Sequence, residues 1–171
     1  MPYTQVTKKQ RKIGKVEELA LGYMGGVGAM LNFGADKLGM TEPEMNDIKN
    51  AWRDANPAIK SLWFKMEEAA IKAVQTPGYE FDVNGKVQFF VNGPYLHMRL
   101  PSGRLLHYYQ PSVRHELNQW GKWGDKLYYW GRKSDQGGSN EGNKWTELDT
   151  YGGKLCIAEG TPVCIQHHQT H

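Results

Sequence analysis

The sequence predicts an α+β fold, with helices first and a small antiparallel meander after them. Apolar residues recur at spacings of three and four as far as Thr76-Pro77-Gly78, and from Tyr79 onward the pattern becomes strand and turn. Turn signals, Asn84-Gly85 above all, separate the later apolar runs. An apolar share of 39% and an aromatic share of 12% over 171 residues can fill a core, which excludes a wholly disordered chain. Lys+Arg 21 against Asp+Glu 18 leaves +3, too small an excess to define a nucleic-acid binder from total charge. No apolar run approaches the roughly 20 residues of a membrane helix, and Met1-Pro2-Tyr3-Thr4-Gln5 has no apolar signal segment. A cytoplasmic protein with Cys156 and Cys164 as free thiols is the expectation.

The elements follow in order. Thr7 and Gln10 form a capping box, so a helix starts at Lys8, with Ile13, Val16, Leu19 and Tyr23 on its apolar side. Gly25-Gly26 interrupts it. Val27, Met30, Leu31 and Leu38 suggest a second helix, weakened by Gly28 and Gly34. Thr41 and Glu44 cap a third, carrying Met45, Ile48 and Trp52. Asn56 as cap and Pro57 at the first position open a fourth, with Ile59, Leu62, Trp63, Met66, Ala70 and Val74 as its buried stripe. Phe81-Val83 and Val87-Val91 then read as a hairpin, Tyr95-Leu100 and Leu105-Tyr109 as a second, and Leu127-Trp130 with Trp145-Thr150 as a third. The polar, Gly-rich stretch from Arg132 to Lys144 reads as a mobile loop. The expected organisation is 1–77, helical; 78–156, β-hairpins; and 157–171, a divergent tail.

Lys8 to Gly28 is the most informative segment. Five cations, Lys8, Lys9, Arg11, Lys12 and Lys15, fall within eight residues that contain no acid. Arg11, Lys15, Leu19 and Tyr23 stand four apart, a step that drifts only about 40° on a helix, so they form one slanting stripe. Its cations can meet phosphate; its apolar and aromatic members can meet a sugar and a base. A solvated basic helix end followed by an ordinary apolar face is the competing reading.

Arg11-x3-Lys15-x3-Leu19-x3-Tyr23, running into Gly25-Gly26, resembles the fingers-helix motif of family A DNA polymerases. The string from Arg11 to Ala29 looks like the phage-type version. Trp52-Arg53-x2-Asn56-Pro57, Leu62-Trp63, Leu100-Pro101-Ser102-Gly103-Arg104 and Tyr151-Gly152-Gly153-Lys154-Leu155 occur in the same order in such enzymes, so the resemblance covers about residues 5 to 156. It implies a fingers region with part of the palm of a DNA-directed DNA polymerase, a nucleotidyltransferase. Arg11 and Lys15 would then hold the triphosphate of the incoming nucleotide, Leu19 would lie beside its sugar and base, and Tyr23 would stack near the template base. Lys8, Lys12, Gly25 and Gly26 would contact DNA. Many members of the family have Phe or Tyr at the position of Leu19, and many have Gly at the position of Met24. The intact enzymes use Mg²⁺ held by two palm aspartates. One lies upstream of this helix and the other after the segment beginning at Tyr151, so neither is expected here. The expectation is weak binding of dNTP and of DNA primer-template, no Mg²⁺ bound to this chain and no catalysis by it alone. The palm-facing surface could pair with a second copy.

Other features point elsewhere. Gly22-x2-Gly25-Gly26-x-Gly28 follows no strand and precedes no Gly-Lys-Ser/Thr, so it reads as a helix break or a close approach. His167-His168-x2-His171 reads as tail rather than metal site, and Cys156-x7-Cys164 lacks metal spacing. His97 and His107 are expected half-exposed on adjacent strands. Trp120, Trp123, Tyr128, Tyr129 and Trp130 are either core or a stacking surface. That second reading leaves a non-catalytic module gripping nucleic acid or carbohydrate as the alternative function.

Overall fold

The computed structural model describes residues 5–132, 144–158 and 161–162. Helices come first: α1 (Lys8–Leu21), α2 (Val27–Asn32), a 3₁₀ turn (Asp36–Leu38), α3 (Glu42–Ala55) and α4 (Pro57–Gln75). Strands follow: β1 (Phe81–Val83), β2 (Val87–Asn92), β3 (Tyr95–Arg99), β4 (Leu105–Leu117), β5 (Trp123–Arg132) and β6 (Trp145–Thr150). The short helix α5 (Gly152–Leu155) and the paired strands β7 (Ile157–Ala158) and β8 (Thr161–Pro162) complete the described chain. The fold is α+β, as expected.

The contacts divide the chain into two units, one of Met1–Trp63 with Cys156–His171 and one of Phe64–Leu155. In the first, the capping signals set the helix starts. The Gln10 N–H donates to Thr7 Oγ1 at 3.2 Å while Gln10 Oε1 accepts from the Thr7 N–H at 2.9 Å. At α3 the Glu44 carboxylate accepts from the Thr41 N–H and hydroxyl, both at 2.8 Å, which holds its pKa below the usual carboxylate range. Val16, Ala20, Leu21, Met30, Ala35 and Met45 form the core, with Ile48 and Trp52 packed against it. Two details differ from expectation. Tyr23 lies beyond the end of α1, because the chain turns at Gly22 rather than completing another helical turn. Asn56 precedes α4 as expected, its carbonyl accepting from the Lys60 N–H at 3.2 Å, but its side chain donates back to the Trp52 carbonyl at 2.8 Å and so also closes α3.

The second unit carries a six-stranded antiparallel meander in the order β1-β2-β3-β4-β5-β6. Asn84 and Gly85 both take positive φ (54° and 68°), as the β1–β2 turn requires. Phe89 faces Met98, and Met98 faces Leu106, across neighbouring strands. Val83, Val87, Phe89, Leu96, Met98 and Leu127 are buried, as are Met66, Ala69, Ala70 and Ala73 in the later turns of α4. The predicted third hairpin pairs Leu127 with Thr150 and Trp130 with Glu147. One strand pair goes beyond the sequence reading: β4 continues to Leu117 and pairs with β5 from Trp123. A bulge between Tyr109 and Ser112 makes this possible, with Gln110 at φ 43° and its N–H donating to the Pro94 carbonyl at 2.7 Å.

Three expectations are corrected. His97 is buried rather than half-exposed, wedged beside Phe90 and Tyr95, and its Nδ1 lies 2.7 Å from that of His107. Trp120 and Trp123 are not core: they are 75% and 67% exposed. Cys156 is disulfide-bonded, so it is not a free thiol. The loop over 133–143, Cys164 and the His167-His168-x2-His171 tail lie outside the described residues. Among the described residues, no helix is long and apolar enough to cross a membrane.

Candidate functional site

The first unit presents one groove that joins charge to apolar surface. Its lining includes Lys12, Lys15 and Leu19 of α1, Leu31 at the end of α2, Phe33 and Lys37. Leu19 (42% exposed), Leu31 (39%) and Phe33 (50%) stay accessible, so the floor is apolar and open to a ligand. The groove has no acidic lining residue. Phe33 is placed by the end of α2. The Ala35 N–H donates to the Met30 carbonyl (3.0 Å) and the Gly34 N–H to the Leu31 carbonyl (2.9 Å), a Schellman closure that needs the positive φ of 84° at Gly34.

The charge of α1 is arranged against its own helix dipole. Its first turn has no acid and its last turn no base, the reverse of what the dipole favours, at a cost of about 0.3–1 kcal/mol per residue. Lys8, Lys9, Arg11, Lys12 and Lys15 form no ion pair among the described residues. Cations and dipole therefore add to one positive potential at this end of the helix. Such an arrangement contributes nothing to helix stability and suits an anionic ligand.

Of the predicted stripe, Lys15 and Leu19 line the groove, whereas Arg11 and Tyr23 do not. A drift of about 40° per step turns Arg11 away from the middle of the stripe, and Tyr23 leaves it because the helix has already ended at Leu21. Arg11 is exposed one turn before Lys15; Tyr23 is partly buried, which raises its pKa. Lys12 lines the groove beside Lys15, and Lys8 is exposed at the helix start.

The turn after α1 is held from α3 and α4. The Arg53 guanidinium donates to the carbonyls of Gly25 (3.1 Å) and Met24 (3.4 Å), and the Trp63 indole N–H donates to the Gly22 carbonyl (3.3 Å). Arg53 lies over the Trp63 ring at 5.8 Å, and Trp63 stacks on Trp52 at 6.1 Å with planes 10° apart. Burial pushes the Arg53 pKa down, and its Nε is buried without a partner. Met24 sits at φ 66°, the left-handed region that favours glycine. At Gly25 a Cβ would lie 2.0 Å from the Ala20 carbonyl oxygen, so packing alone requires glycine there. At Gly26 the nearest atom to such a Cβ, Lys49 Cδ, is 4.0 Å away, and no steric reason for glycine exists.

Among the described residues, no group of three or more His, Cys, Asp or Glu side chains could hold a metal ion. The donors among the described residues do not fit the Mg²⁺ that the resemblance implies for intact enzymes. No protein-family model matches the chain. No solved structure matches it. Among curated proteins, the chain is 40% identical over 158 residues to a protein named DNA polymerase from Bacillus phage SP02. The match covers 91% of this chain and 22% of that protein, so the chain spans about a fifth of its relative's length.

Proposed function

We propose that the chain is the fingers region, with part of the palm, of a phage-type family A DNA polymerase, and that α1 binds the incoming nucleotide. The observation that carries this reading is the acid-free groove in which Lys12 and Lys15 flank an open apolar floor of Leu19, Leu31 and Phe33. Ammonium groups beside apolar surface suit a ligand that is polyanionic at one end and flat and apolar at the other. Lys15, with Arg11 one turn before it, takes the triphosphate; Leu19 meets the sugar and base; Tyr23, presented by the turn that Arg53 and Trp63 hold, stacks against the template base. Lys8 and Lys12 meet DNA phosphate, and Gly25 and Gly26 let the template approach the backbone. The similarity to the phage DNA polymerase supports the same assignment at the level of the whole enzyme.

The test is calorimetric titration of dTTP into the purified chain and into an Arg11→Ala/Lys15→Ala variant. Loss of one or two charge-assisted contacts should weaken binding at least tenfold, with the circular dichroism spectrum unchanged. Equal affinity in the two proteins would refute the assignment of α1.

A further inference from the structure

We infer that the tip of the β4–β5 hairpin is a second contact for nucleic acid, a stacking platform for single-stranded bases. The inference stands on the second unit alone and does not depend on the α1 groove.

The hairpin outruns its neighbours. β3 pairs with β4 only as far as Tyr109, and β6 pairs with β5 only from Leu127. Among the described residues, Arg114–Leu117 and Trp123–Lys126 therefore form a two-stranded arm whose ladder partners are each other. At its end Leu117 (53%), Trp120 (75%) and Trp123 (67%) are exposed. Indoles left this open are expensive in water and mark contact surfaces.

The tip is held in shape before any ligand arrives. Asn118 Oδ1 accepts from the N–H groups of both Trp120 and Lys122 at 2.9 Å, and Asn118 N–H donates to the Lys122 carbonyl at 2.8 Å. His115 lies parallel to Trp123, with ring centres 5.5 Å apart and planes 14° apart, and is anchored by a 2.8 Å contact to Asp125. Trp123 is thus already one layer of a stack.

The choice of ligand follows from which polar groups remain available. A sugar-binding site pairs aromatic faces with carboxylates or amides that read hydroxyls. Here both carboxylates and one amide oxygen are engaged: Asp125 with His115, Glu116 with Tyr128 and Lys126, and Asn118 Oδ1 with two backbone N–H groups. What remains at the tip is the exposed Gln119 amide and the Lys122 ammonium, which forms no ion pair among the described residues and supplies the positive charge that a neutral sugar would not call for. Open π-faces plus an unpaired cation fit bases and phosphate without sequence preference.

The experiment is fluorescence anisotropy of a labelled twelve-nucleotide oligothymidylate titrated with the full chain, its Trp120→Ala/Trp123→Ala variant and its Lys122→Ala variant. The double variant should lose at least tenfold in affinity while its melting temperature and its dTTP affinity stay at wild-type values. Lys122→Ala should flatten the log–log salt slope by about 0.7. Oligothymidylate binding that is absent in the wild type, or unchanged in the double variant, overturns the inference. So does concentration-dependent self-association that the double variant abolishes while its DNA affinity is unchanged, which would make the tip a face for a second copy. Because dTTP binding is read separately, failure here and failure of the α1 reading are distinguishable.

Discussion

Replacing Gly25 by alanine tests whether the turn after α1 is a packed joint or a loose linker. The new Cβ would lie 2.0 Å from the Ala20 carbonyl oxygen and 2.8 Å from the Ala29 Cβ. The first distance is more than about 1 Å short of the roughly 3.3 Å at which carbon and a carbonyl oxygen rest. The obstacle is backbone at the end of α1, so no rotamer change relieves it. The turn must move instead, and the Arg53 bond to the Gly25 carbonyl and the Trp63 bond to the Gly22 carbonyl, at 3.1 and 3.3 Å, lengthen with it. Overpacking strain of about 1–3 kcal/mol and the loss of one charge-assisted and one neutral bond sum to about 3–7 kcal/mol. Gly14→Ala is the control: it lies inside α1, no atom is within 4 Å of its built Cβ, and the gain in helix propensity is about 0.5–1 kcal/mol. Urea unfolding followed by circular dichroism reads both. The reasoning is refuted if Gly25→Ala costs under about 1 kcal/mol, or if it costs no more than Gly14→Ala.

Two further outcomes follow from side chains. Arg53→Ala should cost about 2 kcal/mol, one charge-assisted bond plus a weak cation–π contact, and Arg53→Lys should restore only part of it; urea midpoints measure both. Glu67 has its pKa raised by burial, against a 3.4 Å bond from the Gly152 N–H. A raised folded-state pKa means that the protonated form favours the fold, so this contribution is present at low pH. It is lost as pH rises from the unfolded value of about 4.3 through the folded one. Glu67→Gln should therefore stabilise the fold at neutral pH by less than about 1 kcal/mol after screening, read as a higher melting temperature, and the gain should vanish below about pH 4.

What the sequence made legible was local. Thr7 with Gln10 and Thr41 with Glu44 mark helix starts because a capping box closes within three residues, and Asn84-Gly85 marks a turn because both positions need positive φ. Lys15 and Leu19 were legible for the same reason, as neighbours on one helix face. Leu31, Phe33 and Lys37 were not, since they reach the groove from beyond a turn whose geometry depends on Gly34. Arg53 and Trp63 were visible as letters of a motif, but their hold on the carbonyls of Gly22, Met24 and Gly25 spans about 30 to 40 residues, as the separations of 28, 29 and 41 show. The outer half of β4 was hidden by Gln110-Pro111, which reads as a strand end. The bulge places those two residues opposite one, and the strand resumes.

The two-stranded arm also has a consequence for solubility. Beyond Tyr109 on one side and before Leu127 on the other, its edges have no strand beside them among the described residues. Open edges recruit further strands and lead toward fibrils. Here Arg114, His115 and Glu116 stand opposite Lys126, Asp125 and Gly124, so an incoming strand would meet a row of mixed charge. The bulge at Gln110 adds local twist, which further spoils a flat template. An arm guarded in this way discourages partners that bind by backbone pairing and leaves its tip side chains as the means of contact.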